Sequence, residues 1–189
     1  MTRDEAYSLM CEWTESENLR KHMLAVEAAM RFYAEKFGED AEKWAVVGLL
    51  HDMDYEKHPT PEEHPYVAVE YLKKQGVSAE IIHAILAHAE YTGVEPETLM
   101  AKTLRAVDEL CGFITACVYV RPSRSVLDLS VKSVKKKMKS AGFARAVKRE
   151  DITAGAELLG ISLEEHIGNV IEGMRGSAQQ LGLAGDQSG

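Results

Sequence analysis

Trp44-Ala45-Val46-Val47-Gly48-Leu49-Leu50-His51-Asp52 is an apolar run that ends in two adjacent residues able to bind a metal. An ionised carboxylate buried without a partner is costly, so it is paired, protonated or coordinated. A neutral imidazole beside a carboxylate suits a first-row divalent ion. A His-Asp pair alone is more often a polar helix end or a solvated loop, because two-residue motifs recur by chance. A metal site needs further ligands at matching places along the chain.

Upstream, Leu19, Met23, Val26, Met30, Tyr33 and Phe37 recur in steps of three and four, which describes one face of a helix. His22 borders that face. Gly38 stops the helix, and Asp40 can cap the next one, which carries His51-Asp52 at its far end. Downstream, prolines 59, 61 and 65 forbid a continuous helix over 53–65 and predict an extended surface loop. Pro65 then opens a helix to about Lys74. Ser78 caps another, carrying His83 and His88. Five residues correspond to about 140° around a helix, so these two histidines do not face one site. His88 shares the face of Ile81, Ala84 and Ile85, whereas His83 lies with Glu80 and Ala87 and looks exposed. A long helix is expected from about Glu97 to Val120, with Asp108 on the flank of its apolar face. An acidic residue there needs a partner.

Further helices are expected over 3–13, from Asp151 or Thr153 to Gly160, and from Ser162 to about Leu181. His166 is placed on the polar side of the last one. The tail 184–189 is expected to be disordered. The chain thus reads as all-α, a single-domain helical bundle over 1–183. Its core spans about 18–120, and a basic segment with C-terminal helices follows over 121–183.

The 189 residues are 46% hydrophobic and 28% charged, ordinary for a globular domain. No apolar run reaches bilayer length, and no basic-then-apolar leader opens the sequence, so a cytoplasmic location without membrane partners is expected. Cys11, Cys111 and Cys117 form no CxxC and leave one unpaired. Neither a disulfide framework nor a thiolate zinc site is indicated. The net charge of −8 disfavours nucleic acid as a partner, yet residues 121–149 hold ten basic residues and one acidic one. Lys132, Lys135, Lys136 and Lys139 fall on one helical face. With Arg121 and Arg124 they are the expected contacts to a phosphate-bearing substrate, although a Lys run is more commonly a solvated face.

The ordered set His22, Gly48-Leu49-Leu50-His51-Asp52, His64 before Pro65, His88 and Asp108 resembles the HD superfamily of metal-dependent phosphohydrolases, in its HDIG-type branch. The resemblance covers roughly residues 18–120 and implies a bundle of about five helices. It implies that His22, His51, Asp52 and Asp108 hold one divalent ion. It also implies that His64 and His88 can add a second, with Asp52 as the bridge. The resemblance leaves the metal open among Fe, Mn, Co, Ni, Zn and Mg. His58 competes with His64 for the same role. The branch usually continues Ile-Gly and often Lys after the pair, whereas this chain reads Met53-Asp54-Tyr55-Glu56. Lys57 is out of register, so no catalytic Lys carries over.

The chemistry implied is hydrolysis of a small phosphate ester, a nucleotide among the options, by attack of a metal-bound water. Asp52, Asp54 and Glu56 are the carboxylates nearest the pair and the candidates for catalytic roles, the latter two as general acid or base. The plainer reading of Asp54 and Glu56 is loop solubility. Two other classes remain open: a di-iron oxygenase of the wider superfamily, and a non-catalytic metal-stabilised module that binds a ligand. A homodimer is compatible with all three.

Overall fold

The computed structural model describes residues 1–185. Its helices are α1 Arg3–Trp13, α2 Glu17–Phe37, α3 Ala41–Leu50, α4 Tyr66–Lys74, α5 Ala79–His88, α6 Leu99–Tyr119, α7 Val131–Met138, α8 Arg149–Leu158 and α9 Leu163–Gly176. No strand forms among the described residues. The starts are set by side-chain oxygens on free backbone N–H groups: Ser16 caps α2, Asp40 caps α3 and Thr98 caps α6. Gly38 ends α2 in the left-handed conformation.

α3 is the central element. Every residue from Trp44 to Leu50 is buried, so the helix is enclosed on all sides. It packs against α2, α1, α5 and α6. Gly48 permits a close approach of α2, because a Cβ there would lie 2.7 Å from Glu27 Cα. Around this axis Met23, Val26, Met30, Leu50, Ile85, Leu104 and Val107 form one continuous core. That core holds the ends of α3 and α5 against the middles of α2 and α6.

Three expectations change. Residues 53–65 fold into consecutive turns and are not an extended loop. Met53, Asp54, His64 and Pro65 are buried there, because the turns fold back onto the bundle. His166 does not face solvent. It is fully buried, with its ring bonded to the Tyr33 hydroxyl at 2.6 Å and the Ala106 carbonyl at 2.9 Å. Burial pushes its pKa down. Ala184 forms an antiparallel bridge with Ser125, while 186–189 of the expected disordered tail lie outside the described residues. No helix among the described residues is long and apolar enough to cross a membrane.

Candidate metal centre

Five segments deliver six side chains to one place. His22 comes from α2, His51 caps α3, and Asp52 follows in the first turn after it. His64 lies in the turn before α4, His88 is the last residue of α5, and Asp108 is in the middle of α6. Ligand atoms of His22, His51 and Asp108 lie within 4.8 Å of one another, as do those of Asp52, His64 and His88.

Asp52 faces both triads with different oxygens. Its Oδ2 is 3.6 Å from His51 Nε2 and 3.8 Å from His22 Nε2. Its Oδ1 is 3.3 Å from His64 Nε2 and 3.5 Å from His88 Nε2. On the first side, Asp108 Oδ1 is 2.9 Å from His22 Nε2 and 3.5 Å from His51 Nε2.

The rings are oriented from behind. His51 Nδ1–H donates to the Gly48 carbonyl at 2.9 Å, and His88 Nδ1–H donates to the Ile85 carbonyl at 2.5 Å. His64 Nδ1–H donates to Asp54 Oδ1 at 2.7 Å. In each case Nε2 is left as the free ligand atom, an arrangement metal-binding imidazoles use. His51 Nε2 is buried and has no hydrogen-bond partner. A lone pair aimed at two carboxylates is a poor arrangement by itself and a good one around a cation. The set of four imidazoles and two carboxylates, with no thiolate, fits a first-row divalent ion.

The electrostatics agree. Burial disfavours a charge on His51, yet Asp52 and Asp108 outweigh it and raise its pKa to about 9. At His64, burial is likewise outweighed by Asp52 and Asp54, again to about 9. Burial works to raise Asp52 and Asp108, but the imidazoles around them hold both well below the usual carboxylate range. The carboxylates thus stay ionised and the site draws positive charge.

The cluster forms one wall of a cavity of about 510 Å³. His51 is sealed off, whereas the His22 and Asp108 side chains remain 22% and 23% exposed. The first triad therefore has an open side. Tyr55 and Tyr91 stand at the cavity edge near His64, with ring centroids 5.1 and 6.5 Å from it. Arg105, Glu109, Lys148 and Asp151 also line the cavity.

Asp54 and Glu56 do not serve as open acid or base groups here. Asp54 is fully buried, and both its oxygens are occupied by His64 and the Ala68 N–H. Glu56 is exposed and turned to the start of α2, where it accepts from the Ser16 N–H at 3.0 Å. His58 is also elsewhere, against Glu63 at 3.1 Å. His83 points to the Glu95 carbonyl.

The expected substrate lysines are absent from the cavity. Lys132, Lys135, Lys136 and Lys139 surround a separate surface depression with Glu164, and Lys135 is ion-paired to Glu164. Arg121 pairs with Asp128 at 3.0 Å, and neither Arg121 nor Arg124 lines the cavity. The reason is the direction of the chain: α7 docks on α9 and the outer end of α6 instead of returning over the ligands. Sequence reading missed Arg105, which lies three residues before Asp108 on α6 and hence on a neighbouring face. It also missed Glu109, whose carboxyl is pushed up to about 7 by burial and then by Asp108 and Asp151. Lys148 and Asp151 arrive from α8 and its cap, and no local pattern announces them.

Residues 19–112 match the family model of the HD domain, and the chain contains an HD domain over this segment. This is a superfamily of metal-dependent phosphohydrolases whose members bind divalent metals. The chain is 35% identical over 98 residues to ribonuclease Y of Nitratidesulfovibrio vulgaris (strain DP4), covering 51% of this chain and 18% of that protein. Ribonuclease Y of Lawsonia intracellularis is 35% identical over 98 residues, with 51% and 19% covered. That of Geobacter metallireducens is 33% identical over 98 residues, with 51% and 18% covered. The match thus spans less than a fifth of the length of these relatives. No solved structure gives a significant match.

Proposed function

We propose that the protein is a metal-dependent phosphohydrolase acting on a small phosphate ester, a nucleotide being one such compound. His22, His51, Asp52 and Asp108 hold one divalent ion, and Asp52, His64 and His88 hold a second. The observation that carries this reading is Asp52, whose two oxygens face one triad each. When bound, the ions supply Lewis-acid polarisation of a phosphoryl oxygen and acidify a water.

The chain's own residues do the rest. His51, His64 and His88 are held with Nε2 inward, so the ligand set is preorganised. Arg105, half-buried in the cavity and without an ion pair among the described residues, offers a fork of N–H donors for anionic oxygens. Lys148 adds a second positive charge. Glu109 faces the same space, its carboxyl pushed up to about 7 in the metal-free protein by burial and by Asp108 and Asp151. Tyr55 and Tyr91 offer flat faces on which a planar group can stack.

The relatives named ribonuclease Y match over 98 residues, about half of this chain, and a ribonuclease acts on a phosphodiester, so a diester is as eligible as a monoester. The test is turnover of p-nitrophenyl phosphate, its bis ester, nucleoside monophosphates and a short RNA by protein loaded with Mn²⁺, Co²⁺ or Ni²⁺. Turnover that disappears in His51→Ala supports the proposal. No turnover across the panel with metal fully loaded contradicts it. The bridging position of Asp52 also suits a di-iron oxygenase, which O₂ consumption by iron-loaded protein would reveal.

A further inference from the structure

We infer that Asp54 is the positioning residue for the second ion: it holds His64 and, through it, the half of the site made with His88 and Asp52. The inference rests on the two-ion reading above.

The three inward histidines stand in two kinds of place. His51 follows the last turn of α3 and His88 ends α5, so each ring finds a carbonyl three residues back in its own helix, Gly48 or Ile85. Helix geometry supplies these acceptors at no further cost. His64 sits in the turn ahead of α4 and has no helix behind it. Its backbone N–H is taken by the Thr60 carbonyl at 2.8 Å, which does nothing for the ring. An acceptor for Nδ1–H must come from a side chain, and Asp54 provides it at 2.7 Å.

Asp54 is itself fixed. Its side chain is fully buried, and its other oxygen accepts from the Ala68 N–H at 2.8 Å. Ala68 lies in the first turn of α4, whose backbone donors lack helical partners and whose cap residue, Pro65, provides no side-chain bond. One carboxylate thus ties the ring of His64 to the start of α4. The turn that carries Asp54 is anchored in turn, since the buried Thr14 hydroxyl donates to the Met53 carbonyl at 3.2 Å. Asp52, two residues earlier, turns Oδ1 to His64 and His88 and Oδ2 to His22 and His51. The short stretch 52–54 would therefore give each ion a carboxylate oxygen and aim a further ligand of the second.

A carboxylate behind an imidazole makes it a stronger ligand than a carbonyl does. Asp54 makes no contact with His22, His51 or Asp108 among its hydrogen bonds and ion pairs. Its loss should strip one position and spare the other.

The experiment is Mn²⁺ binding by equilibrium dialysis and elemental analysis on the full chain, with Asp54→Asn and His64→Ala side by side. The amide keeps the volume but can accept only one of the two bonds. The expected result is two ions on the unmodified protein, with the second weakened on the order of 10–100-fold in Asp54→Asn and the first unchanged. His64→Ala should give the same pattern. Two ions bound by Asp54→Asn with unchanged affinities would overturn the inference and leave the two-ion reading intact. A single ion on the unmodified protein would overturn both. ¹⁵N-histidine NMR of the unmodified protein gives a test that no variant's folding can spoil. It should show metal-free His64 carrying a proton on Nδ1; a ring protonated on Nε2 alone would also overturn the inference.

Discussion

The Nε2 atoms of His64 and His88 lie 3.3 Å apart, although the Nδ1 of each ring already donates elsewhere, to Asp54 and to the Ile85 carbonyl. Two neutral rings so arranged would turn lone pairs toward each other. A positive charge between or beside them removes the conflict. In the metal-free protein that charge is a proton, and in the loaded protein it is a cation.

A pH dependence of opposite sign in the two forms follows. His51 and His64 are raised from 6.5 to about 9 when no metal is present. A raised folded-state pKa contributes stability that is fully present below the unfolded value and lost as pH rises through the folded one. The chelated protein should therefore lose melting temperature between about pH 6.5 and 9. Asp52 and Asp108 are depressed, so their contribution is present above the usual carboxylate range and lost in acid. Metal binding requires unprotonated imidazoles, so affinity rises over the same upper window. Thermal melts with EDTA and with excess Mn²⁺ should separate increasingly from pH 6.5 to 9. A gap that narrows contradicts the ligand assignment.

Substrate affinity should follow the cavity and not the lysine face. Changing Lys132, Lys135, Lys136 and Lys139 together to Gln should leave KM within about twofold, because these residues lie outside the cavity. Arg105→Gln should raise KM roughly tenfold, the loss of about one charge-assisted hydrogen bond to an anion. Its kcat should change less, since ground-state binding is what it supplies. Steady-state kinetics on the best substrate of the panel distinguish the two; the reverse order would return the basic segment to the site.

Gly155→Ala should disturb the part of the cavity that α8 forms. A Cβ at this position would lie 2.8 Å from Ala106 Cα, a backbone atom that cannot step aside. Overpacking of this kind costs about 1–3 kcal/mol. α8 must then lift from α6, carrying Lys148 and Asp151 with it. Denaturant melts should show the lost stability, and KM should rise while the metal stoichiometry stays the same. Unchanged stability would mean that α8 adapts freely.

Much of the bundle was legible because amphipathic spacing and caps are local signals. Leu19 to Phe37 with Ser16 and Gly38 is a helix with both ends written into it, and the structure makes it α2. The convergence of His22, His51, Asp52, His64, His88 and Asp108 could be read from their order and their places at helix ends or on helix flanks. Asp54 was misread because a carboxylate in a proline-rich stretch looks solvated; only the fold shows His64 and the α4 start closing over it. His166 was misread for a related reason. Its partners, Tyr33 and the Ala106 carbonyl, come from distant parts of the chain, and local periodicity says nothing of them. The basic segment misled because charge composition carries no direction: the path of α7 depends on packing against α9.

A crystal of the full chain grown with Mn²⁺, with anomalous scattering used to locate the metal, tests whether these six side chains hold two ions. Two peaks are expected. One is bonded by His22, His51, Asp52 and Asp108, the other by Asp52, His64 and His88, with Asp52 common to both. Metal–ligand distances for these O and N donors should be about 2.0–2.3 Å. Fully loaded crystals with no anomalous peak among these six side chains, or with peaks only at surface carboxylates, would contradict it.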